Sequence, residues 1–126
     1  MLMPYRRNTV ASERFAERRR RENEAPKLRA QVPTLTSLKL LIEEQNGVGS
    51  TKHVRHVMID SAPALFLVPC GDPRCADGEH DLTTTVLRAL DTRKTSFQGD
   101  DDCTGSVGMG YCARVIHFNG TAEYRA

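Results

Sequence analysis

Cys70, Cys75, Cys103 and Cys112 are the only cysteines in this 126-residue chain. They fall as two pairs, C-x4-C and C-x8-C, with 27 residues between the pairs. The opening residues, MLMPYRR, run straight into charge and lack an apolar h-region, so an unexported, cytoplasmic chain is expected. In a reducing compartment, paired cysteines hold metal more often than they form disulfides. Zn²⁺ takes four soft or borderline ligands in a tetrahedron, supplied by two short segments that meet in space. A structural Zn²⁺ on Cys70, Cys75, Cys103 and Cys112 is therefore the leading chemical expectation, with two disulfides or free thiols as the alternatives. His80, five residues after Cys75, could replace one cysteine; a surface histidine near a helix start is the plainer expectation.

The surrounding residues argue against catalysis. A catalytic zinc keeps one position open and has a base beside it, and Glu79 is the nearest candidate for that role. Pro69-Cys70 is present, but no H-x-E precedes it and four residues separate Cys70 from Cys75, unlike a nucleobase deaminase. H-E-x-x-H is absent, and no nucleophile elbow accompanies any serine. The Gly105–Gly110 stretch is followed by the alternating YCARVIHF rather than by a helix, so a phosphate loop is not expected. Its glycines suit a tight approach of backbone around a metal knuckle. His53 and His56 are three apart on an expected strand and face opposite ways. Asp100, Asp101 and Asp102 read as a solvated turn. No catalytic residue is assigned, and the chain is expected not to be an enzyme.

The second informative feature is an arm. Residues 1–30 carry a net charge of +5, whereas the other 96 residues carry −3. Its basic residues are Arg6, Arg7, Arg14, Arg18, Arg19, Arg20, Arg21, Lys27 and Arg29. Arg18 to Arg21 are consecutive and on a helix would span most of its circumference, as suits a helix surrounded by phosphates. Arginine is also the side chain best fitted to bidentate phosphate contact. Helix is expected from Thr9 or Ser12 to Glu24, with Glu17 and Arg21 as an i,i+4 pair and Pro26 as the stop. Apolar residues are too sparse for an apolar stripe that would dock the arm on its own body.

Beyond Val32-Pro33 the apolar period changes to alternation. Ser37–Glu44 and Lys52–Asp60 read as a hairpin around the Asn46-Gly47-Val48-Gly49-Ser50 turn. Ala64–Val68, apolar on both sides, reads as a central strand. Asp81 is the expected N-cap of a helix bearing Leu82, Val86, Leu87 and Leu90 on one face. Thr95–Gln98 and Tyr111–Tyr124 complete the strands, with a bulge or bend at Asn119-Gly120. Hydrophobic content is 39%, there is no Trp, and Phe and Tyr total seven, so the core is modest and a metal crosslink would help it. The longest apolar run, Ala62 to Val68, contains a proline and cannot span a bilayer, so no membrane partner is expected.

The expected fold is α+β: an antiparallel sheet of about five strands with one packed helix. Residues 1–30 form a basic helical arm and residues 31–126 the zinc-binding domain. The site resembles a zinc ribbon with a helix inserted between its two knuckles, over residues 70–112. The expected function is a non-catalytic zinc-binding protein that attaches to RNA or a ribonucleoprotein, the ribosome among them, through the arm. DNA is an alternative polyanion. A protein-interaction or assembly subunit, its arm folding on a protein partner, is the alternative function.

Overall fold

Alternating apolar residues build the sheet. In the computed structural model, which describes residues 3–45, 48–72, 74–75 and 78–126, with side chains from Glu13 onward, strand β1 (Leu35–Gln45) buries Leu38, Leu40 and Ile42 on one face. Strand β8 (Val115–Tyr124) answers with Ile116, Phe118 and Ala122. Their antiparallel register sets Leu38 against Ala122 and Ile42 against Phe118. Strand β2 (Ser50–His56) flanks β1 and strand β5 (Ser96–Asp102) flanks β8, giving a four-stranded antiparallel sheet in the order β2-β1-β8-β5. The Asn46-Gly47 part of the expected turn lies outside the described residues.

The main sheet has four strands and not about five, because the strand expected at its centre lies outside it. Ala64–Val68 does not enter the main sheet: only Leu67–Pro69 is strand (β3), and it pairs antiparallel with Glu79–Asp81 (β4) in a separate ladder. Its apolar run is buried nonetheless, because Ala64, Phe66, Leu67 and Val68 cover the core side by packing rather than by pairing. Apolarity on both sides signals burial, and burial does not require a place in a sheet. Nor does Asn119-Gly120 bulge; the β5–β8 register runs through it without a shift. Gly120 instead lies under the Phe97 ring, where any Cβ would overlap the aromatic carbons.

Helix α3 (Thr83–Asp91) buries Val86, Ala89 and Leu90 against the sheet. Leu82 rather than Asp81 occupies its N-cap position, and Asp81 sits one residue upstream, accepting the Thr83 N–H at 3.0 Å. The Asp100–Asp102 run is strand, not turn: it pairs residue by residue with His117, Ile116 and Val115.

The arm is helix α1 (Met3–Glu24), which begins well before the Thr9 or Ser12 start expected for it. Its arginines, glutamates and alanines are good helix formers. Arg20 donates to Glu17 and to Glu24 at 3.0 Å, binding successive turns together. Glu17 therefore pairs with Arg20, and the expected Arg21 side chain is drawn off the helix to Glu79, 2.7 Å away. The helix stops before Pro26, whose ring disfavours helical geometry at the residue before it. The chain is then stitched to the body by Leu28 N–H to Ala62 O at 2.9 Å and Ala64 N–H to Pro26 O at 2.7 Å. A short helix, α2 (Leu28–Gln31), places Leu28 in the core with no exposed surface. No helix among the described residues is long and apolar enough to cross a membrane.

Candidate metal centre

Three backbone turns deliver the cysteines. Cys70 follows β3 directly, and its N–H reaches Gly78 O across the β3–β4 ladder at 3.3 Å. Cys75 lies within that connection, its N–H held by Asp72 O at 3.0 Å; Pro73, part of the expected turn, lies outside the described residues. Cys103 follows β5 and is pinned to the partner strand by its N–H to Arg114 O at 3.0 Å. Between Cys103 and Cys112 the chain folds into a two-strand ladder, β6 (Ser106–Val107) with β7 (Gly110–Tyr111). The glycine-rich stretch opens no helix, and Gly108, at φ +59°, makes its turn.

All four sulfurs lie within 4.8 Å of one another. Cys70 Sγ is 3.7 Å from Cys112 Sγ, and Cys75 Sγ is 3.6 Å from Cys103 Sγ. A disulfide needs about 2.05 Å, so none of these thiols is bridged, and all four are free. A zinc tetrahedron with Zn–S bonds of about 2.3 Å has sulfur–sulfur edges of about 3.8 Å. The two measured edges fit that figure, so the donors present suit a tetrahedral thiophilic cation.

The shell around the sulfurs is built for anionic sulfur. Asp72 N–H points at Cys70 Sγ at 3.5 Å and Gly105 N–H at Cys103 Sγ at 3.4 Å. The Arg114 N–H does the same for Cys112. In each case the donor is two residues after the cysteine, so the same turn is used three times. Burial pushes the Cys70 thiol up and raises Cys103 to about 11. At Cys112 burial also opposes ionisation, but the Arg114 N–H and the neighbouring thiols outweigh it and the pKa falls. A cation entering this cluster must displace protons to gain thiolates.

Two glycines make room for the sulfurs. A Cβ on Gly78 would overlap Cys103 Sγ and Cys75 Sγ, and one on Gly105 would lie 2.5 Å from Cys75 Sγ and 2.6 Å from the Gly78 backbone. Around them runs a polar belt. Arg114 donates to Glu44 Oε1 at 2.9 Å and lies 3.7 Å from Asp72, while Arg74 donates to Asp72 at 3.1 Å. The Arg74 hydrogen bonds hold the Asp72 carboxyl below the usual carboxylate range.

His80 is not a surface histidine. It has no exposed surface, because the β3–β4 ladder turns it inward against β5 and the end of β1. Its Nδ1 meets Asp101 Oδ2 at 3.3 Å, and its Nε2 lies 3.8 Å from Glu44 Oε2. Glu44 joins the neighbourhood of the cysteines through strand pairing, and its place in the chain carries no signal of it; Asp101 and Arg114 stand two residues from Cys103 and Cys112. Glu79, weighed above as a base, is held by Arg21. His53 and His56 are exposed on β2, and His53 lines a cleft with Glu44, Gly71 and Arg114.

The basic residues divide. Arg20 and Arg19 pair with glutamates of α1, and Arg21 with Glu79. Arg29 reaches Asp60 at 2.6 Å and Lys27 points at Ser61 O. Arg14 and Arg18 have no ion pair among the described residues, and they line a cavity of about 350 Å³ between α1 and the Gly78-Glu79 turn. The Arg6 and Arg7 side chains lie outside the described residues. In the body, Arg55 is turned to Leu67 O and Arg114 to Glu44.

Compared with known proteins, the chain matches no family model, no curated protein and no solved structure.

Proposed function

We propose that the chain is a non-catalytic zinc-binding protein that associates with RNA or a ribonucleoprotein, such as the ribosome, through its basic arm. One observation carries the metal half: four sulfurs from two chain segments lie within 4.8 Å, with measured edges of 3.6 and 3.7 Å. Zinc is the cation best matched to four thiolates at these edges. Four protein ligands fill its coordination, which supports a structural role. The arrangement is zinc-ribbon-like, with α3 inserted between a knuckle after β3 and a knuckle after β5. Metal would then supply cohesion that a core without Trp and with few aromatics lacks.

The RNA half rests on the +5 charge of residues 1–30 against −3 elsewhere. Arg14 and Arg18 are four apart on α1 and share a face. The net charge of +5 on residues 1–30 leaves about five positive charges for a phosphate backbone. Neutralising about five phosphates makes log K fall with a slope of about −3.5 to −4.5 against log salt. Binding of the full chain to folded RNA across a salt series tests this; a flat response refutes it.

A protein-docking arm is the second reading, favoured by Phe15, which stands 59% exposed on α1 among internally paired charges. A partner retained by the full chain after nuclease treatment, and lost on removing residues 1–24, selects it over the RNA reading.

A further inference from the structure

Beside the four-cysteine set lies a second group of convergent donors: Glu44, Cys70 and His80 each offer a ligand atom within 4.8 Å of the others, and His80 Nε2 is 3.8 Å from Glu44 Oε2. We propose that these three residues form a second divalent-cation site, which shares the Cys70 sulfur with the first. The proposal rests on the zinc reading above, because it needs Cys70 as a thiolate.

Three independent features support it. His80 is completely buried, yet its Nε2 has no hydrogen-bond partner among the described residues. An unsatisfied buried polar atom costs about 1–3 kcal/mol, and native folds retain few of them without a use. Its other nitrogen, Nδ1, faces the Asp101 carboxylate at 3.3 Å. That is the arrangement of a metal-ligating histidine, whose second ring N–H is held by a carboxylate so that the free nitrogen keeps its lone pair for the metal. Finally, the other two donors are of the right kind and already fixed. Glu44 is held by Arg114 at 2.9 Å and by the Gly71 N–H at 3.0 Å, and Cys70 by its ladder bond to Gly78.

A nitrogen, an oxygen and a thiolate suit Zn²⁺ or another borderline cation; Ca²⁺ and Mg²⁺ prefer oxygen alone. A thiolate has lone pairs enough to bind two cations, so Cys70 need not leave the first set. Three protein donors leave a fourth position for water, and Glu44 also lines a cleft of about 330 Å³ with Gly71 and Arg114.

The test is zinc stoichiometry of the full chain, prepared metal-free under reducing conditions and titrated with Zn²⁺ under native mass spectrometry. Wild type is expected to take two equivalents. His80→Gln and Glu44→Gln are expected to stop at one, with the far-ultraviolet circular dichroism of the one-zinc protein unchanged. Wild type saturating at one equivalent overturns the second site alone, whereas no bound zinc overturns both sites. Two equivalents on His80→Gln place the second ion elsewhere and also overturn the proposal. Should the variants not fold, the wild-type His80 imidazole decides: its ¹⁵N resonance is expected to shift on the second equivalent and not the first. An unmoved resonance through two equivalents refutes the assignment.

Discussion

Replacing Gly105 with alanine adds one methyl group, and the structure says where it must go. The new Cβ would lie 2.5 Å from Cys75 Sγ and 2.6 Å from both Gly78 Cα and Gly78 N. Ordinary contacts between such atoms are about 3.5–4.0 Å, so something must yield by about 1 Å. Two of the three obstacles are backbone atoms and the third is a proposed metal ligand, so no flexible side chain can absorb the shift. Gly105 is not among the residues with positive φ, which makes the cost steric and not one of backbone strain. Overpacking of a rigid site costs about 1–3 kcal/mol, and the upper end applies here. A loss of about 3 kcal/mol, if it falls on the bound state, weakens zinc about 100-fold and lowers the melting temperature by ~10 °C. Gly110→Ala is the matched control, since its nearest neighbour is Val107 O at 4.0 Å. Zinc affinity is read by competition with a chromophoric chelator, and stability by thermal melting of the zinc-loaded protein. Gly105→Ala binding zinc as tightly as Gly110→Ala would show that the sulfurs do not hold a cation in the cage described.

Cys103→Ser is expected to lose bound metal and cooperative unfolding together, as chelation should in the wild type; unchanged melting without metal contradicts this. Leu28→Ala should cost ~2–5 kcal/mol in chemical denaturation, because Leu28 is fully buried although it lies in the arm's sequence. Removal of residues 1–24 should accordingly leave the domain folded, whereas removal of residues 1–32 should not. Arg14→Glu with Arg18→Glu should flatten the salt slope of RNA binding by ~1.4–1.8, at ~0.7–0.9 per phosphate lost. An unaltered slope would assign the contacts to other residues.

What the chain revealed about itself followed the range of each signal. Local periodicity identified β1, β8 and α3, because one face of each must be apolar to pack, and Leu38, Leu40, Ile42, Val86 and Leu90 are all in the core. The four cysteines were legible as a cluster from residue type alone, and the structure brings their sulfurs together. Partners joined only by tertiary pairing were not legible. Glu44 is the penultimate residue of β1 and Asp101 sits on β5, so nothing in their neighbours in sequence ties them to His80. The run Asp100–Asp102 looked like a turn because consecutive carboxylates disfavour a strand; pairing with β8 and the His117 and His80 contacts override that preference. Ala64–Val68 misled for the opposite reason, its apolarity reporting burial and not pairing. Along α1 the arm's tether is polar, an Arg21–Glu79 pair 58 residues apart in sequence, and its apolar anchor is the one residue Leu28 beyond Pro26, so neither makes a stripe that periodicity could reveal.

X-ray absorption at the zinc edge of the full chain, loaded with one equivalent of Zn²⁺, puts the coordination of these thiols to the most direct test. Four sulfur neighbours at about 2.3 Å are predicted. A first shell of nitrogen and oxygen, or a protein that retains no zinc while its cysteines remain reduced, would contradict the assignment.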